Sequence, residues 1–267
     1  MRFRLSATCL AGAALSTALY AGILPTFHMD PGPLKVFDSY VAQFERNVSE
    51  PFHQSGKLWI DSDSKNDAFQ AGKPVVEPRE SNEITGGSIH HFTGAIHVKG
   101  GTIADVRRIM QDYPNYPKYF KPDVSKGSGK LEADSTPADE HFKTSLTLTQ
   151  STLWIAVTYD TVYDTHYRQI DAHRWVSKSA SDSIKEWKDP KDVSRGYYPE
   201  GDDHGFLWRT NTYWYVRENN GGVDMEVDSM SVSRPAPAGF AWWGNKRTKD
   251  AVDKMLRDMK AAIEALH

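Results

Sequence analysis

Beyond residue 24 the chain lacks cysteine altogether, because its only one, Cys9, sits near the start. No disulfide framework, thiol nucleophile or cysteine metal site can therefore form in the body of the protein. An excess of one charge is also lacking: 32 Lys and Arg against 35 Asp and Glu leave a net charge of -3. That balance gives no electrostatic ground for a nucleic-acid partner or an anionic membrane surface. Short-range catalytic signatures are missing as well. The ten His include no H-E-x-x-H and no His-x-His pair. His90 and His91 must point to opposite faces of a strand, and His91 and His97 share a parity but stand ~20 Å apart at strand rise. They read as strand histidines, and no metal or cofactor is expected. Gly127-Ser128-Gly129-Lys130 lacks the spacing of a phosphate loop, and no serine elbow occurs.

What the chain has is aromatic surface, with 8 Trp and 12 Tyr in 267 residues. Such side chains are core material and pocket lining alike. The first residues carry Arg2 and Arg4 ahead of an uncharged stretch, Leu5 to Leu24. Residues 1–24 read as a targeting segment removed near Ala21, the alternative being retention as a membrane anchor. Export to the periplasm or the exterior is the expectation. Membrane contact is expected only through this segment. Residues 25–86 form an N-terminal arm. Leu34, Val36, Phe37, Tyr40, Val41 and Phe44 predict an amphipathic helix over 32–49, and the polar stretch 50–86 predicts irregular chain with one short strand at 57–60.

Regular patterning starts at Ser88. Alternation predicts a strand to Val98, followed by a helix capped by Thr102, with Ile103, Val106, Ile109 and Met110 on one face. Two prolines, Pro114 and Pro117, then restrict Tyr113 to Phe120 to a short turn. Six antiparallel strands are predicted near 125–133, 140–150, 157–171, 173–187, 206–218 and 223–234. Residues 185–205 interrupt them with a long loop. Asn219-Asn220-Gly221-Gly222 is a strong hairpin signal, since Asn and Gly tolerate positive φ. A turn at Asn220-Gly221 sets Arg217 opposite Asp224, Tyr215 opposite Glu226 and Tyr213 opposite Asp228. The other face then carries Trp208, Thr210, Thr212, Trp214, Val216, Met225, Val227, Ser229 and Ser231. Hydroxyls mixed with Trp and Met suit a pocket for an amphipathic molecule, and equally a solvated end of a sheet. Tyr159 and Tyr163 on one strand, and Trp175 with Ser177, Ser179 and Ser181 on the next, repeat the mixture. The chain ends in its clearest helix, from Gly244, with Val252, Met255, Leu256, Met259, Ile263 and Leu266 on one face. Met there makes an adaptable wall.

Strand, helix, short turn, six antiparallel strands and a terminal helix is an order that resembles the START-like, or SRPBCC, superfamily over 87–267. The segment Val106-Arg107-Arg108-Ile109-Met110-Gln111-Asp112-Tyr113-Pro114-Asn115-Tyr116-Pro117-Lys118-Tyr119-Phe120 carries the likeness. Asp203-His204-Gly205-Phe206-Leu207-Trp208-Arg209, Tyr213-Trp214 and the exit Ser229 to Pro235 are similar to an exported bacterial branch. The resemblance implies an α+β helix-grip fold: a curved sheet of about seven strands wrapped on the long terminal helix, with an extra N-terminal arm. It also implies a cavity between sheet and helix, entered near the short helix, that binds a lipid-like hydrophobic small molecule. Candidate lining residues are Tyr116, Tyr119, Tyr159, Tyr163, Trp175, Trp208, Thr210, Thr212, Trp214, Met225, Val227, Ser229, Met255, Met259 and Ile263. The superfamily shares no catalytic set, so no catalytic residue is carried over. The alternative is a cyclase or dehydratase on a polyketide-like substrate, which needs one or two tuned groups such as His204, Asp203, Arg209 or a Tyr. A third reading is an adaptor in an envelope complex that docks through the N-terminal helix and arm.

Overall fold

The computed structural model describes residues 19–20, 25–63, 67–151, 155–235 and 241–267. Apart from Leu19–Tyr20, the targeting segment lies outside the described residues. In chain order the elements are β1 (Leu19–Tyr20), β2 (Phe27–His28), α1 (Pro31–Phe44), a π-helical stretch Glu45–Ser49, α2 (Glu50–Ser55), a 3-10 turn Trp59–Asp63 and α3 (Asp67–Gln70). Then come β3 (Val75–Ile84), β4 (Gly87–Lys99), α4 (Ile103–Gln111), a 3-10 turn Tyr113–Asn115, α5 (Tyr116–Tyr119), β5 (Val124–Leu131), β6 (Asp139–Ser151) and β7 (Ile155–Asp171). β8 (Arg174–Glu186), a 3-10 turn Val193–Arg195, β9 (Asp202–Asp203), β10 (Arg209–Asn219), β11 (Gly222–Ser233) and α6 (Ala241–Glu264) complete the chain. No described helix is long and apolar enough to cross a membrane.

Nine of the eleven described strands form one sheet in the order β3-β4-β11-β10-β8-β7-β6-β5, with β1 joining β7 in parallel, and β2 pairs antiparallel with β9 apart from it. The hairpin turns where Asn and Gly require it. Asn220 has φ 50° and Gly221 φ 72°, and the register sets Arg217 opposite Asp224, Tyr215 opposite Glu226 and Tyr213 opposite Asp228, as the sequence predicts. Helix α4 starts at a capping box: Asp105 N donates to Thr102 Oγ1 at 3.2 Å and Thr102 N returns a bond to Asp105 Oδ2 at 3.0 Å.

α6 lies across one face of the sheet. Its Val252, Leu256, Met259 and Ile263 are buried with Phe92, Ile96, Trp175, Trp214, Met225 and Val227, each apolar side chain contributing ~1.5–3 kcal/mol by leaving water. The close approach depends on Gly94 of β4, where a Cβ would stand 2.8 Å from Leu256 Cδ1 and 2.9 Å from Val252 Cγ1. Gly127 and Gly129 play the same part on β5, since a Cβ on either would collide with Tyr113. The missing side chains are what allow the short-helix turn to seat there.

The arm differs from the irregular chain expected of it. Val75–Ile84 is a strand paired antiparallel with β4, while 57–60 leads into a 3-10 turn and forms no strand. Val75 and Val76 favour a strand beside β4, but Pro78, Glu80, Ser81 and Asn82 mask the alternation; the register shifts between Pro78 and Ser81, as a proline without an N–H dictates at an edge. The predicted helix over 32–49 is present as α1 and its π-helical extension. Phe37, Val41 and Phe44 of that helix, with Phe52, Leu58, Ile60 and Phe69, cover the opposite face of the sheet, against Ile89, Ala95, Val176, Tyr213, Tyr215, Met230 and Val232. Both faces of the β4–β11–β10 region are thus buried, and with them Asp224, Glu226 and Asp228, each 1% exposed.

Candidate functional site

Strand parity assigns the residues that face α6. On β7 these are Val157, Tyr159, Thr161, Tyr163, Thr165 and Tyr167, every one buried. β8 contributes Trp175, Ser177, Ser179 and Ser181 until the pairing skips Asp182, after which Ile184 and Glu186 take over that face. The result is two aromatic-and-hydroxyl ladders side by side. Thr165 Oγ1 lies 3.1 Å from Ser179 Oγ and 3.2 Å from Thr144 Oγ1, so three strands are tied by hydroxyls.

The helix-facing core divides in two. Around Trp175, Trp214, Met225, Val227, Met259 and Ile263 it is filled. Toward β6 and the short helix, apolar side chains pack against it without being closed off: Tyr116, Tyr119, Phe120, Phe142 and Met255 are half-buried. Leu146 and Leu148, which share the helix-facing parity of Phe142, are half-buried too. A cleft of about 740 Å³ begins beside them, bounded by Pro114 and Pro117, Lys126 and Ser128, Leu146 and Thr161. It also touches Ser145, Thr147, Asp160 and Val162, which have the opposite parity, and ends at Lys185 and Tyr197.

The short helix is held by its hydroxyls. Tyr119 Oη donates to Asp112 Oδ2 at 2.6 Å, and both Tyr116 and Tyr167 donate to Met110 O, at 2.5 and 3.0 Å. Burial pushes the Tyr113, Tyr116 and Tyr167 phenols far above their usual range, so they act as neutral donors.

At the other end of the ladders lies a buried polar group that local spacing does not reveal. Tyr159 and Glu186 are cross-strand partners. Glu186 bonds His204 Nδ1 and accepts from His204 N at 3.2 Å. Glu186 is 1% exposed, His204 and Tyr159 0%. Tyr159 Oη, His204 Nε2 and, further along the ladder, Ser177 Oγ have no hydrogen-bond partner among the described residues. Asp203 beside them accepts from Gly205 N at 2.6 Å, and burial pushes its carboxyl up to about 6. The fields of Glu186, Asp203, Arg247 and Arg234 all reach the Tyr159 phenol.

Of the residues predicted to line a cavity, Tyr116, Tyr119, Trp175, Trp214, Met225, Val227, Met255, Met259 and Ile263 come together in the helix-facing core. Tyr163 is buried on the same face of β7. Tyr159 sits in a satellite cluster with Val157, Ile184 and Leu207. Thr210, Thr212 and Ser229 are half-buried, and Thr210 Oγ1 is spent on Met230 O at 3.0 Å. Trp208 lies elsewhere, in the cluster under α1. Strand β10 begins only at Arg209, so the alternation that would turn Trp208 toward α6 has not started. Arg209 itself pairs with Asp38 at 3.5 Å. Glu186 escaped sequence reasoning because the skipped residue Asp182 reverses the parity of everything after it on β8.

No family model and no curated protein matches the chain. Solved structures with a similar course include the STAR-related lipid transfer protein (fragment 25–204) from Xanthomonas axonopodis, at 13% identity over 71% of this chain and 98% of that one, with a TM-score of 0.46. Human StAR-related lipid transfer protein 5 is similar at 12% identity over 86% and 100%, with a TM-score of 0.45. The di-domain ARO/CYC StfQ from the steffimycin biosynthetic pathway is similar at 13% identity over 67% and 51%, with a TM-score of 0.41. On its own element order, antiparallel sheet and terminal helix, the chain has the START-like helix-grip fold.

Proposed function

We propose that the chain binds a hydrophobic or amphipathic small molecule between α6 and the β6–β8 part of the sheet. The observation that carries this reading is the pairing of half-buried apolar side chains, Leu146, Leu148, Met255 and Phe120, with a ladder of hydroxyls ending in the unpartnered Ser177 Oγ and Tyr159 Oη. Buried polar atoms normally have partners, and an apolar surface with a few convergent polar groups is the composition of a small-molecule site. An acyl or ring body would cover the Leu and Met side chains, and its polar end would meet the hydroxyls. Mild native mass spectrometry and solvent extraction of the purified protein test this. A stoichiometric lipid-like species supports it; a bare chain that also takes up no added fatty acid overturns it. Residues 1–24 would route this carrier out of the cytoplasm, and the N-terminal sequence of the mature protein recovered from the producing cell tests that.

A second reading is a cyclase- or dehydratase-type enzyme, favoured by one observation. Glu186 holds His204 through Nδ1 and is the cross-strand partner of Tyr159, and the buried His204 Nε2 has no hydrogen-bond partner among the described residues, which suits a proton-transfer role. In this reading His204→Gln abolishes turnover of a poly-β-carbonyl substrate and leaves fatty-acid binding unchanged, while Tyr159→Phe lowers both. Turnover in His204→Gln equal to that of the parent protein removes it.

A further inference from the structure

The face of the sheet turned away from α6 is covered by the arm only over β4, β11, β10 and part of β8. On the uncovered part, His141 of β6 and His166 of β7 are direct cross-strand partners. Their rings stack, with centroids 4.3 Å apart and planes within 9°. Both Nε2 atoms face one carboxylate oxygen: Asp164 Oδ1 lies 3.2 Å from His141 Nε2 and 3.0 Å from His166 Nε2. The His141 Nε2 contact is outside hydrogen-bond geometry, and that buried atom has no other partner among the described residues. Each Nδ1 is engaged by a separate carboxylate, His141 by Asp134 at 2.6 Å and His166 by Asp139 at 3.0 Å. Lys143 holds the other oxygen of Asp164 at 3.0 Å.

We infer that His141, His166 and Asp164 form a binding site for a divalent transition-metal cation of the zinc type. Zinc sits ~2.0–2.2 Å from imidazole nitrogens and carboxylate oxygens, which in a tetrahedral site places neighbouring ligand atoms ~3.3–3.6 Å apart. The two N···O separations, 3.2 and 3.0 Å, are near that spacing, the ligand atoms of all three residues lie within 4.8 Å of one another, and the stacked rings must tilt for both Nε2 lone pairs to point at one ion. The carboxylates on both Nδ1 atoms fix each ring and its tautomer, the outer-shell arrangement of metal-ligating histidines. Two imidazoles and one carboxylate select zinc, nickel, copper or iron over magnesium and calcium. With three protein ligands, the cation keeps room for an exogenous ligand, as in reactive rather than structural sites.

The site also has a neighbour. Ser145 and Val162, a cross-strand pair lining the 740 Å³ cleft, lie on the same face two residues from Lys143 and Asp164. Asp164 is therefore ~7 Å along the strand from the cleft's edge.

Titration calorimetry with Zn²⁺ on the full chain, free of any polyhistidine tag, tests the inference. One equivalent should bind with micromolar or tighter affinity. His141→Ala and His166→Ala should each weaken binding at least tenfold, and Asp139→Asn, which touches no metal, should weaken it ~10–100-fold. Asp139 and His166 are partly exposed and His141 more enclosed, so circular dichroism of each variant should match the parent protein, with His166→Ala and Asp139→Asn deciding where His141→Ala is destabilised. Absence of saturable binding, or parental affinity retained in both His→Ala variants, overturns the site. A protein in which Asp139→Asn alone leaves affinity intact overturns the outer-shell role.

Discussion

Arg217 donates to both oxygens of Asp61, Nη1 to Oδ2 at 2.8 Å and Nη2 to Oδ1 at 2.9 Å, joining the arm to β10 across 156 positions of sequence. Nη2 also reaches Asp224 Oδ2 at 2.8 Å. One guanidinium thus serves two carboxylates with its fixed fork, a role lysine cannot reproduce. Arg217→Ala should lower unfolding stability by on the order of 3 kcal/mol, because it leaves Asp224 buried without its counter-charge. Arg217→Lys should recover only part of the loss. Urea denaturation of the three proteins measures both differences.

Gly94 sets the distance between α6 and the sheet. Gly94→Ala places a methyl within 3 Å of both Leu256 and Val252, and the overpacking should cost about 1–3 kcal/mol. Leu256→Ala in the same chain should return part of that cost by making room. A double-mutant cycle on the thermal midpoints checks the coupling.

Asp203 carries a pH signature. Its carboxyl titrates near 6 when folded, against an ordinary value of 3.8. Between those values the native state holds a proton that the unfolded chain has released. Stability therefore falls as pH rises through this window and levels off above it, by about 3 kcal/mol at ~1.4 kcal/mol per pH unit. Asp203→Asn, which can still accept from Gly205 N, should flatten that part of the profile measured by denaturation from pH 3.5 to 7.

Glu226 should act in the same direction over a higher range. Burial, and then the charge of Asp228 beside it, raise its carboxyl well above the ordinary 4.5. Below 4.5 both states are protonated and the residue is neutral to stability. Above it only the unfolded chain ionises, so stability falls as pH rises toward the folded value. Glu226→Gln keeps an acceptor for Ile60 N, now 3.3 Å from Oε2. The variant should be more stable than the parent at pH 8, and the gap should close as pH falls to 4.5.

Local patterns expose much of this fold. The 3.6 period of α6, the Thr102 cap and the Asn220-Gly221 turn each appear in the structure with the predicted partners. What local pattern hides is the environment of a face. Tyr213, Tyr215, Asp224, Glu226 and Asp228 alternate like a solvated strand face, yet the arm buries them, and their partners lie far off in sequence: Tyr213 Oη donates to Glu45 of the π-helical stretch at 2.6 Å, and His91 Nε2 of β4 lies 2.9 Å from Asp228. Nothing in a ten-residue window announces a partner helix 170 residues earlier. The His141–His166 pair is a second case. Pairing Gln150 with Val157, the ends of two predicted strands, already sets these histidines opposite each other. A search confined to short-range His spacings misses it. Glu186 required the skipped residue Asp182, and a bulge has no reliable sequence signal.

The most direct test of the interior site is a fluorescence titration with cis-parinaric acid, reading energy transfer from the buried Trp175 and Trp214. Saturable one-to-one binding at micromolar or lower concentration is the predicted result, weakened at least tenfold by Leu146→Trp or Met255→Trp, which fill the half-buried region. Absence of saturable transfer in the parent protein, or parental affinity retained in both filled variants, would contradict a ligand site between α6 and the β6–β8 sheet.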